Sequence, residues 1–530
     1  MRDRSFDSWV GDRLPPPEEQ PEFLFELPEL RYPERLNAAS VLIDGPPGDA
    51  PAVINDRGVW TYGRMRDLSD RIARLLVDEE GLVPGNRVLL RGPNGAMLFA
   101  AWLGVLKAGG MLVTTMPLLR AGEVETILRQ AEIRHAIVDS RCLNDFEAAA
   151  AATGTVASLL TYDGDAGTGA LERRLDAVQP GFAAAETGRD EPAMIAFTSG
   201  TTGRPKGCVH FQRDILASAD SFARYVLRPE AAGRWLCSAP IGFTFGLGMG
   251  LTFPWRFGAA AVTVEKPGPK PLLEAVERHR VTVLATAPTA YKAMLPMLAE
   301  RDIASLTTCV SAGEHLPAAT WEAWRAATGL AIVDGIGATE MMHIFISASG
   351  DDIRPGATGK AVPGYRACVL DADGDPLPQG TGRLAVKGPT GCRYLADPRQ
   401  RAYVQNGWNV TGDTYRQDED GYFWFVARSD DMIVSAGYNI AAPEVEAALY
   451  AHPAVAECAV IGVPCPERGQ KVKAFVVLAN AATGDARLAE ALQAHVKAQI
   501  APFKYPREIE FVAALPKTAT GKLQRFALRG

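Results

Sequence analysis

From about residue 50 to 300, short β-branched runs alternate with Ala- and Leu-rich stretches of helical periodicity. Arg87-Val88-Leu89-Leu90, Met111-Leu112-Val113 and Ala136-Ile137-Val138 predict strands, with helices over 96–108 and 122–132 between them. That alternation points to βαβ units and parallel sheet. Met194-Ile195-Ala196-Phe197 is another apolar run and predicts a buried strand. Residues 145–190, rich in Ala, Gly and Asp, predict a variable surface excursion. A second α/β series follows, with a helix over 271–280 and strands over 281–285 and 308–311. Beyond residue 355 the texture changes to Gly- and Pro-punctuated runs, such as 367–371 and 383–387, which predict antiparallel strands. A βα tail begins near Arg428, with helices over 443–451 and 487–500 and strands over 455–463, 472–478 and 508–512. Residues 1–40, proline-rich and aromatic, predict an extended arm packed on a domain. The expected class is therefore α/β: a large N-terminal domain of α/β subdomains plus a β-rich subdomain, then a small C-terminal α+β domain.

A chain of 530 residues allows at least two domains with ample core. A net charge of −7 argues against a general nucleic-acid or anionic-membrane binder, while local cations can still hold a small anion. The charged start through Asp7, followed by Pro15-Pro16-Pro17, offers no apolar leader core, and no apolar stretch is long enough to span a bilayer. Eight scattered cysteines without CxxC pairs read as reduced packing residues. The expected location is cytoplasmic. A homodimer is allowed, but no residue pattern encodes an oligomeric state.

The strongest chemical signal is Thr198-Ser199-Gly200-Thr201-Thr202-Gly203-Arg204-Pro205-Lys206-Gly207. Hydroxyls, glycines and two cations after a buried strand make a polyphosphate-binding loop, in which glycine lets backbone N–H groups approach phosphate oxygens. Lys206 follows Gly203 by three residues and precedes a glycine, so the spacing is not that of a P-loop NTPase.

Further ordered motifs stand beside this loop: Trp60-Thr61-Tyr62, Ser311-Ala312-Gly313-Glu314, Gly335-Ile336-Gly337-Ala338-Thr339-Glu340, Thr411-Gly412-Asp413, Arg428-Ser429-Asp430-Asp431 and Pro516-Lys517-Thr518-Ala519-Thr520-Gly521-Lys522. Together they resemble the acyl-adenylate-forming enzymes, which include acyl-CoA synthetases, adenylation domains and beetle luciferases. The resemblance implies attack of a carboxylate on the α-phosphorus of ATP, then transfer of the acyl group to a thiol without a protein nucleophile. It implies that Thr198, Ser199, Gly200, Thr201, Thr202 and Lys206 cradle the β- and γ-phosphates. Thr339 would serve the α-phosphate and Glu340 a Mg²⁺ ion, a hard cation suited to an oxygen ligand. Gly313, Glu314, Asp334, Gly335 and Ile336 would wall the adenine, Asp413 would take the ribose hydroxyls, and Arg428 would support it. Lys522 would be the catalytic cation, with Thr339 and Glu340 completing the catalytic set. The resemblance also makes the C-terminal domain mobile, dividing the chain into 1–428 and 429–530 with a hinge at Asp430. Ser435, Gly437 and Tyr438 would then lie on the face that admits coenzyme A.

For the acid, the resemblance places walls at 242–248 and on a helix beginning Met341-Met342-His343-Ile344, which implicates Phe243, Thr244, Gly248, Gly337, Met342 and His343. An aromatic wall opposite glycines suits an aryl acid better than a long acyl chain. Residues 335–345 are similar to benzoate-CoA ligases, and Asp12-Arg13-Leu14-Pro15-Pro16 with the 23–37 segment looks like 2-aminobenzoate (anthranilate)-CoA ligases. An ortho substituent could be held by backbone carbonyls, Thr244 or His343. Arg468-Gly469-Gln470-Lys471 and Phe503-Lys504-Tyr505-Pro506-Arg507 resemble tail elements of aryl- and medium-chain acyl-CoA ligases, whose cations could meet the CoA phosphates or be ordinary surface charges. Two positions depart from the family pattern: Ile336 replaces an aromatic, and Ala427 precedes Arg428 where glycine is usual. The expected activity is an ATP-, Mg²⁺- and CoA-dependent aryl-acid ligase acting on anthranilate. Benzoate or salicylate, loading of a carrier-protein phosphopantetheine, and a catalytically dead binding protein are the alternatives.

Overall fold

The computed structural model describes residues 6–198, 205–428, 432–435, 438–465, 469–479, 484–500, 504–517 and 523–529. The chain packs as two compact units, one of residues 1–367 and 386–409 and the other of residues 368–385 and 410–530. The strands just before Arg428 therefore pack with the tail. The proposed division at 428/429 concerns a hinge, which compactness does not test.

The first unit contains two sheets. One runs in the order Ser158–Tyr162, His135–Asp139, Arg87–Arg91, Met111–Thr115, Pro192–Thr198 and Lys206–Phe211. All pairs are parallel except the last, where Thr198 pairs with Lys206. The phosphate loop thus joins a strand to its antiparallel edge neighbour. Arg87–Arg91 and Met111–Thr115 are buried at every position, as continuous apolar runs between helical layers should be. The 145–190 excursion is a correction: Leu143–Thr153 and Ala170–Leu175 are helices and Ser158–Tyr162 is an edge strand. Only alternate residues of that strand face the core, so its apolar signal is weak beside the Ala-rich helix before it.

The second sheet has nine strands, whose central parallel members include Arg234–Cys237, Val283–Thr286, Thr308–Ser311 and Ile332–Gly337. Ile344–Ser347 folds back antiparallel on Ile332–Gly337. The N-terminal arm is held at three points within this unit. Phe23 bridges to Gly388, the Tyr32 hydroxyl donates to Asp220 at 2.8 Å, and the Glu22 N–H donates to the Gly407 carbonyl at 2.9 Å.

The helix Ala96–Lys107 is capped from a distance. Gly95 has no side chain to offer, and the Asp165 carboxylate instead accepts the N–H groups of Ala96 and Met97, both at 2.9 Å, with Asn55 Nδ2 donating at 2.8 Å. Asp165→Ala should lower stability by about 1–2 kcal/mol, the usual cost of a lost cap, measured as a drop in the urea midpoint at constant m-value.

In the second unit, Asp413–Gln417 pairs antiparallel with Phe423–Arg428. The tail is a sheet in the order Tyr438–Ala441, Met432–Ser435, Gly469–Leu478 and Val455–Cys465, with Glu508–Phe511 parallel to Gly469–Leu478. Helices Ala442–Tyr450 and Ala486–Gln499 complete its core through Val445, Leu449, Leu492 and Val496. None of the eight cysteines is in a disulfide, and six are buried. Among the described residues no helix is long and apolar enough to cross a membrane.

Candidate active site

Lys206 opens the edge strand after the phosphate loop, and its side chain is already engaged. Nζ donates to the Tyr394 hydroxyl at 2.7 Å, lies 4.7 Å from the centre of the Tyr394 ring, and stands 3.5 Å from Glu340 Oε1. The Tyr394 hydroxyl in turn donates to Glu340 Oε1. Burial and the adjacent carboxylate push the Tyr394 phenol far above its usual range, so it remains a donor. Glu340 is 6% exposed, not the solvated carboxylate that a turn position alone would give. Among the described residues no group of three or more His, Cys, Asp or Glu is arranged around an ion. The buried Glu340 carboxylate would supply an oxygen ligand of the kind a hard divalent cation such as Mg²⁺ takes.

Thr339 starts the short 3₁₀ turn Thr339–Met341, and its carbonyl meets His210 Nε2 at 2.8 Å. Burial opposes charge on His210, but Cys208 and Asp214 beside it raise its pKa to about 10. Thr198 Oγ1 is buried with no partner among the described residues. Ser199, Gly200, Thr201 and Thr202 lie outside those residues, as do Asp430, Gly437 and Lys522.

The expected helix from Met341 is a second correction. The 3₁₀ turn ends at Met342, whose φ is +66°, and Ile344–Ser347 is a strand. Ile344, Phe345 and Ile346 are branched or aromatic, which suits a strand better than a helix. Met342 is a non-glycine residue in a sparsely populated conformation, and such strain collects at functional sites.

Several rings and two glycines gather around His343, one of the residues expected at the acid. His343, 2% exposed, stacks on Phe245 at 5.6 Å and Phe222 at 5.5 Å and meets Phe253 edge-on at 4.4 Å. Two π-helical segments, Ala219–Leu227 and Gly248–Thr252, carry Phe222 and adjoin Phe253; such segments concentrate at functional sites. Neither ring nitrogen of His343 has a hydrogen-bond partner among the described residues. Burial drives its pKa down to about 3, with a backbone group at Phe245 partly opposing, so the ring is neutral at pH 7. A Cβ on Gly248 would fall 2.5 Å from His343 Nε2, and one on Gly337 would fall 2.8 Å from the His343 backbone. These glycines make room for the histidine itself, so they are not a bare wall facing it. Thr244 is buried at the start of the short helix Thr244–Leu247, with Phe243 just before it. Asn94, which the sequence motifs did not mark, holds the turn leading into this wall. Its Nδ2 donates to the Ala239 carbonyl at 3.0 Å and its Oδ1 accepts from the Ile241 N–H at 2.9 Å.

Of the expected adenine residues, Asp334, Gly335 and Ile336 lie on the strand Ile332–Gly337, and Gly313 and Glu314 follow the neighbouring strand Thr308–Ser311, with Ser311 in register with Asp334. Ligands of open α/β sheets bind at such carboxyl ends. Gly313 follows with φ +90°, which only glycine adopts freely, and a Cβ on Gly335 would meet Ile344 Cγ2 at 2.7 Å. Burial pushes the Asp334 carboxyl up to about 8. Within the second unit, Arg428 donates to Asp413 Oδ1 at 2.9 Å and so orients that acceptor. Ser435 is buried there, its backbone in register with Tyr438 and Gly469.

Tyr394 and His210 escaped the sequence motifs because each acts on a partner more than fifty or a hundred positions away.

Comparison with known proteins identifies the family. Residues 43–394 match the family model described as AMP-binding enzyme, and 444–522 match the AMP-binding enzyme C-terminal domain. The chain is 38% identical over 515 residues to the benzoate–CoA ligase of Thauera aromatica, spanning 95% of this chain and 97% of that protein. It resembles the crystal structure of the anthranilate CoA ligase AuaEII in complex with anthranoyl-AMP, with 34% identity, a TM-score of 0.89, and coverage of 95% of this chain and 98% of that one. A benzoate CoA ligase from Burkholderia xenovorans LB400 gives 34% identity, a TM-score of 0.84, and coverage of 93% and 100%. By these matches the chain belongs to the AMP-binding enzyme family, has the acyl-adenylate-forming fold, and falls among its AMP-forming acyl-CoA ligases.

Proposed function

We propose that the protein is an aryl-acid CoA ligase whose preferred acid is anthranilate. The observation that carries this choice is His343: a neutral imidazole with unpaired nitrogens inside an aromatic enclosure. An unpaired buried polar atom is costly, and an ortho amino group brings the donor that a bare ring nitrogen lacks. The flat rings of Phe245 and Phe222 suit an aromatic acid. Similarity to a protein named for anthranilate supports the reading, and that to proteins named for benzoate favours benzoate as the second reading.

In the first half-reaction the carboxylate oxygen attacks the α-phosphorus, and the bond from that phosphorus to pyrophosphate breaks. In the second, the CoA sulfur attacks the acyl carbon, AMP departs with the mixed-anhydride oxygen, and the thiol proton leaves to solvent. Lys206 and the loop hydroxyls hold the departing phosphates, and Lys522 screens the two anions as they meet. Glu340 would hold Mg²⁺, which when bound neutralises phosphate charge. Asp413, fixed by Arg428, takes the ribose hydroxyls. The division at 428/429, with Asp430 as hinge, exchanges the Lys522 face for that of Ser435, Gly437 and Tyr438 between the half-reactions.

His343→Phe should cut the ratio of anthranilate to benzoate kcat/KM by about tenfold, the scale of one buried hydrogen bond. An unchanged ratio would remove His343 from substrate choice. Acid-dependent ATP–pyrophosphate exchange tests the wider reading: it should appear with anthranilate, and its absence with every aryl acid tried would end the proposal.

A further inference from the structure

We infer that Tyr394 is the positioning residue for the metal-bearing end of the nucleotide site, a role that rests on the adenylation chemistry proposed above. A phenol has one proton and two lone pairs. Here the proton goes to Glu340 Oε1 and a lone pair receives Lys206 Nζ at 2.7 Å. Lys206 Nζ and Glu340 Oε1 are an ion pair held at 3.5 Å, longer than a close charge-assisted contact. A closer pair would spend the ammonium on a carboxylate instead of phosphate, and the carboxylate on an ammonium instead of a metal ion. The Tyr394 hydroxyl bonds to both, giving each a neutral partner as well and keeping both in place. When Mg·ATP enters, Lys206 can leave the phenol oxygen for phosphate, while the phenol continues to donate to Glu340 and leaves the remaining carboxylate lone pairs for the ion.

The surroundings fix this phenol rather than merely accommodate it. Tyr394 is 1% exposed. Its N–H donates to Gln400 Oε1 at 2.9 Å, and Gln400 Nε2 is itself tied to the Glu19 and Cys392 carbonyls. Arg393, the preceding residue, is held by Asp214 at 2.8 Å and lies between the rings of Phe23 and Phe211 at 4.1 and 3.8 Å. Cys208 bridges to Tyr394 across the strand that Lys206 begins, so phenol and ammonium share one backbone frame. A packing tyrosine needs neither its hydroxyl bonded twice nor its backbone braced on both sides.

The test is isothermal titration of Tyr394→Phe with Mg·ATP, with ATP in EDTA, and with anthranilate. Charge-assisted hydrogen bonds are the strong ones, so the dissociation constant for Mg·ATP should rise about tenfold or more. Those for metal-free ATP and anthranilate should stay within about threefold, and KM for Mg·ATP should rise more than kcat falls. In a Glu340→Gln background the same Tyr-to-Phe change should cost less than about threefold, because coupled residues are non-additive. Unchanged Mg·ATP binding, an equal loss for all three ligands, or the same cost in both backgrounds would overturn the assignment. If the wild-type protein bound no Mg·ATP at all, the adenylation reading itself would fall, which is a distinct result. Should Tyr394→Phe not fold, Gln400→Ala, which loosens the backbone and keeps the hydroxyl, should weaken Mg·ATP selectively. Equal binding of all three ligands by that variant and the wild type would count against the role.

Discussion

Lys522→Ala should reduce acid-dependent ATP–pyrophosphate exchange by about 10²–10³-fold, the usual effect of removing one preorganised charge from a developing anion. The first half-reaction brings a carboxylate against a polyphosphate, so a flexible ammonium that meets both is worth most there. The second half-reaction begins from an acyl-adenylate with a good leaving group and needs no such cation. Thiolysis of supplied acyl-AMP by CoA should therefore fall far less in the same variant. Stopped-time assays of the two half-reactions on one protein preparation separate the effects. Equal losses would refute a division of labour between two faces of the C-terminal domain.

The second large effect concerns stability. Asp214→Ala should destabilise the fold by about 3–5 kcal/mol, since removing one partner of a buried pair strands the other charge. Asp214 and Arg393 are 0% and 1% exposed and joined at 2.8 Å, and the Phe211 N–H donates to the same carboxylate at 3.0 Å. Burial alone would raise the Asp214 pKa, but Arg393, His210 and the Phe211 N–H outweigh it and hold it at about 2. The sign follows from linkage. A carboxylate with a depressed folded-state pKa contributes stability that is complete above its unfolded value near ~4 and is lost as pH falls from there toward 2. Urea unfolding of wild type and Asp214→Ala from pH 6 to 2 should show the gap between them closing across that window. A pH-independent gap would mean that the charge is not what the site stabilises. Because Arg393 precedes Tyr394, the variant should also weaken Mg·ATP binding in whatever fraction remains folded.

Much of this molecule was legible because its strands are buried on both faces. Val88-Leu89-Leu90 and Ile195-Ala196-Phe197 announce themselves as unbroken apolar runs. The edge strand Ser158–Tyr162 did not, since its core-facing Ser158 is polar and its outward Leu159 apolar, which breaks the alternation a half-buried strand should show. The segment beginning Met341-Met342-His343-Ile344 reads as a helix because the Gly-x-Thr-Glu segment before it looks like a helix start, and nothing local says that Met342 turns the chain at positive φ. Lys206 and Glu340 in the first unit, and Asp413 and Arg428 in the second, could be picked out in order along the chain. What links Lys206 to Glu340 could not. Tyr394 reaches Glu340 across 54 positions, and Asp165 caps a helix 69 residues before it, through contacts that only the packed sheet creates. The role of Gly248 was likewise hidden, because its missing side chain matters only once His343 is placed beside it.

The measurement that bears most directly on the proposed activity is CoA-thioester formation with anthranilate, benzoate, salicylate and a medium-chain fatty acid, each in the presence of ATP and Mg²⁺. The aromatic enclosure and the unpaired imidazole predict the highest kcat/KM for anthranilate, a lower value for benzoate, and little turnover of the fatty acid. A fatty acid that matched or exceeded all three aryl acids would contradict the account.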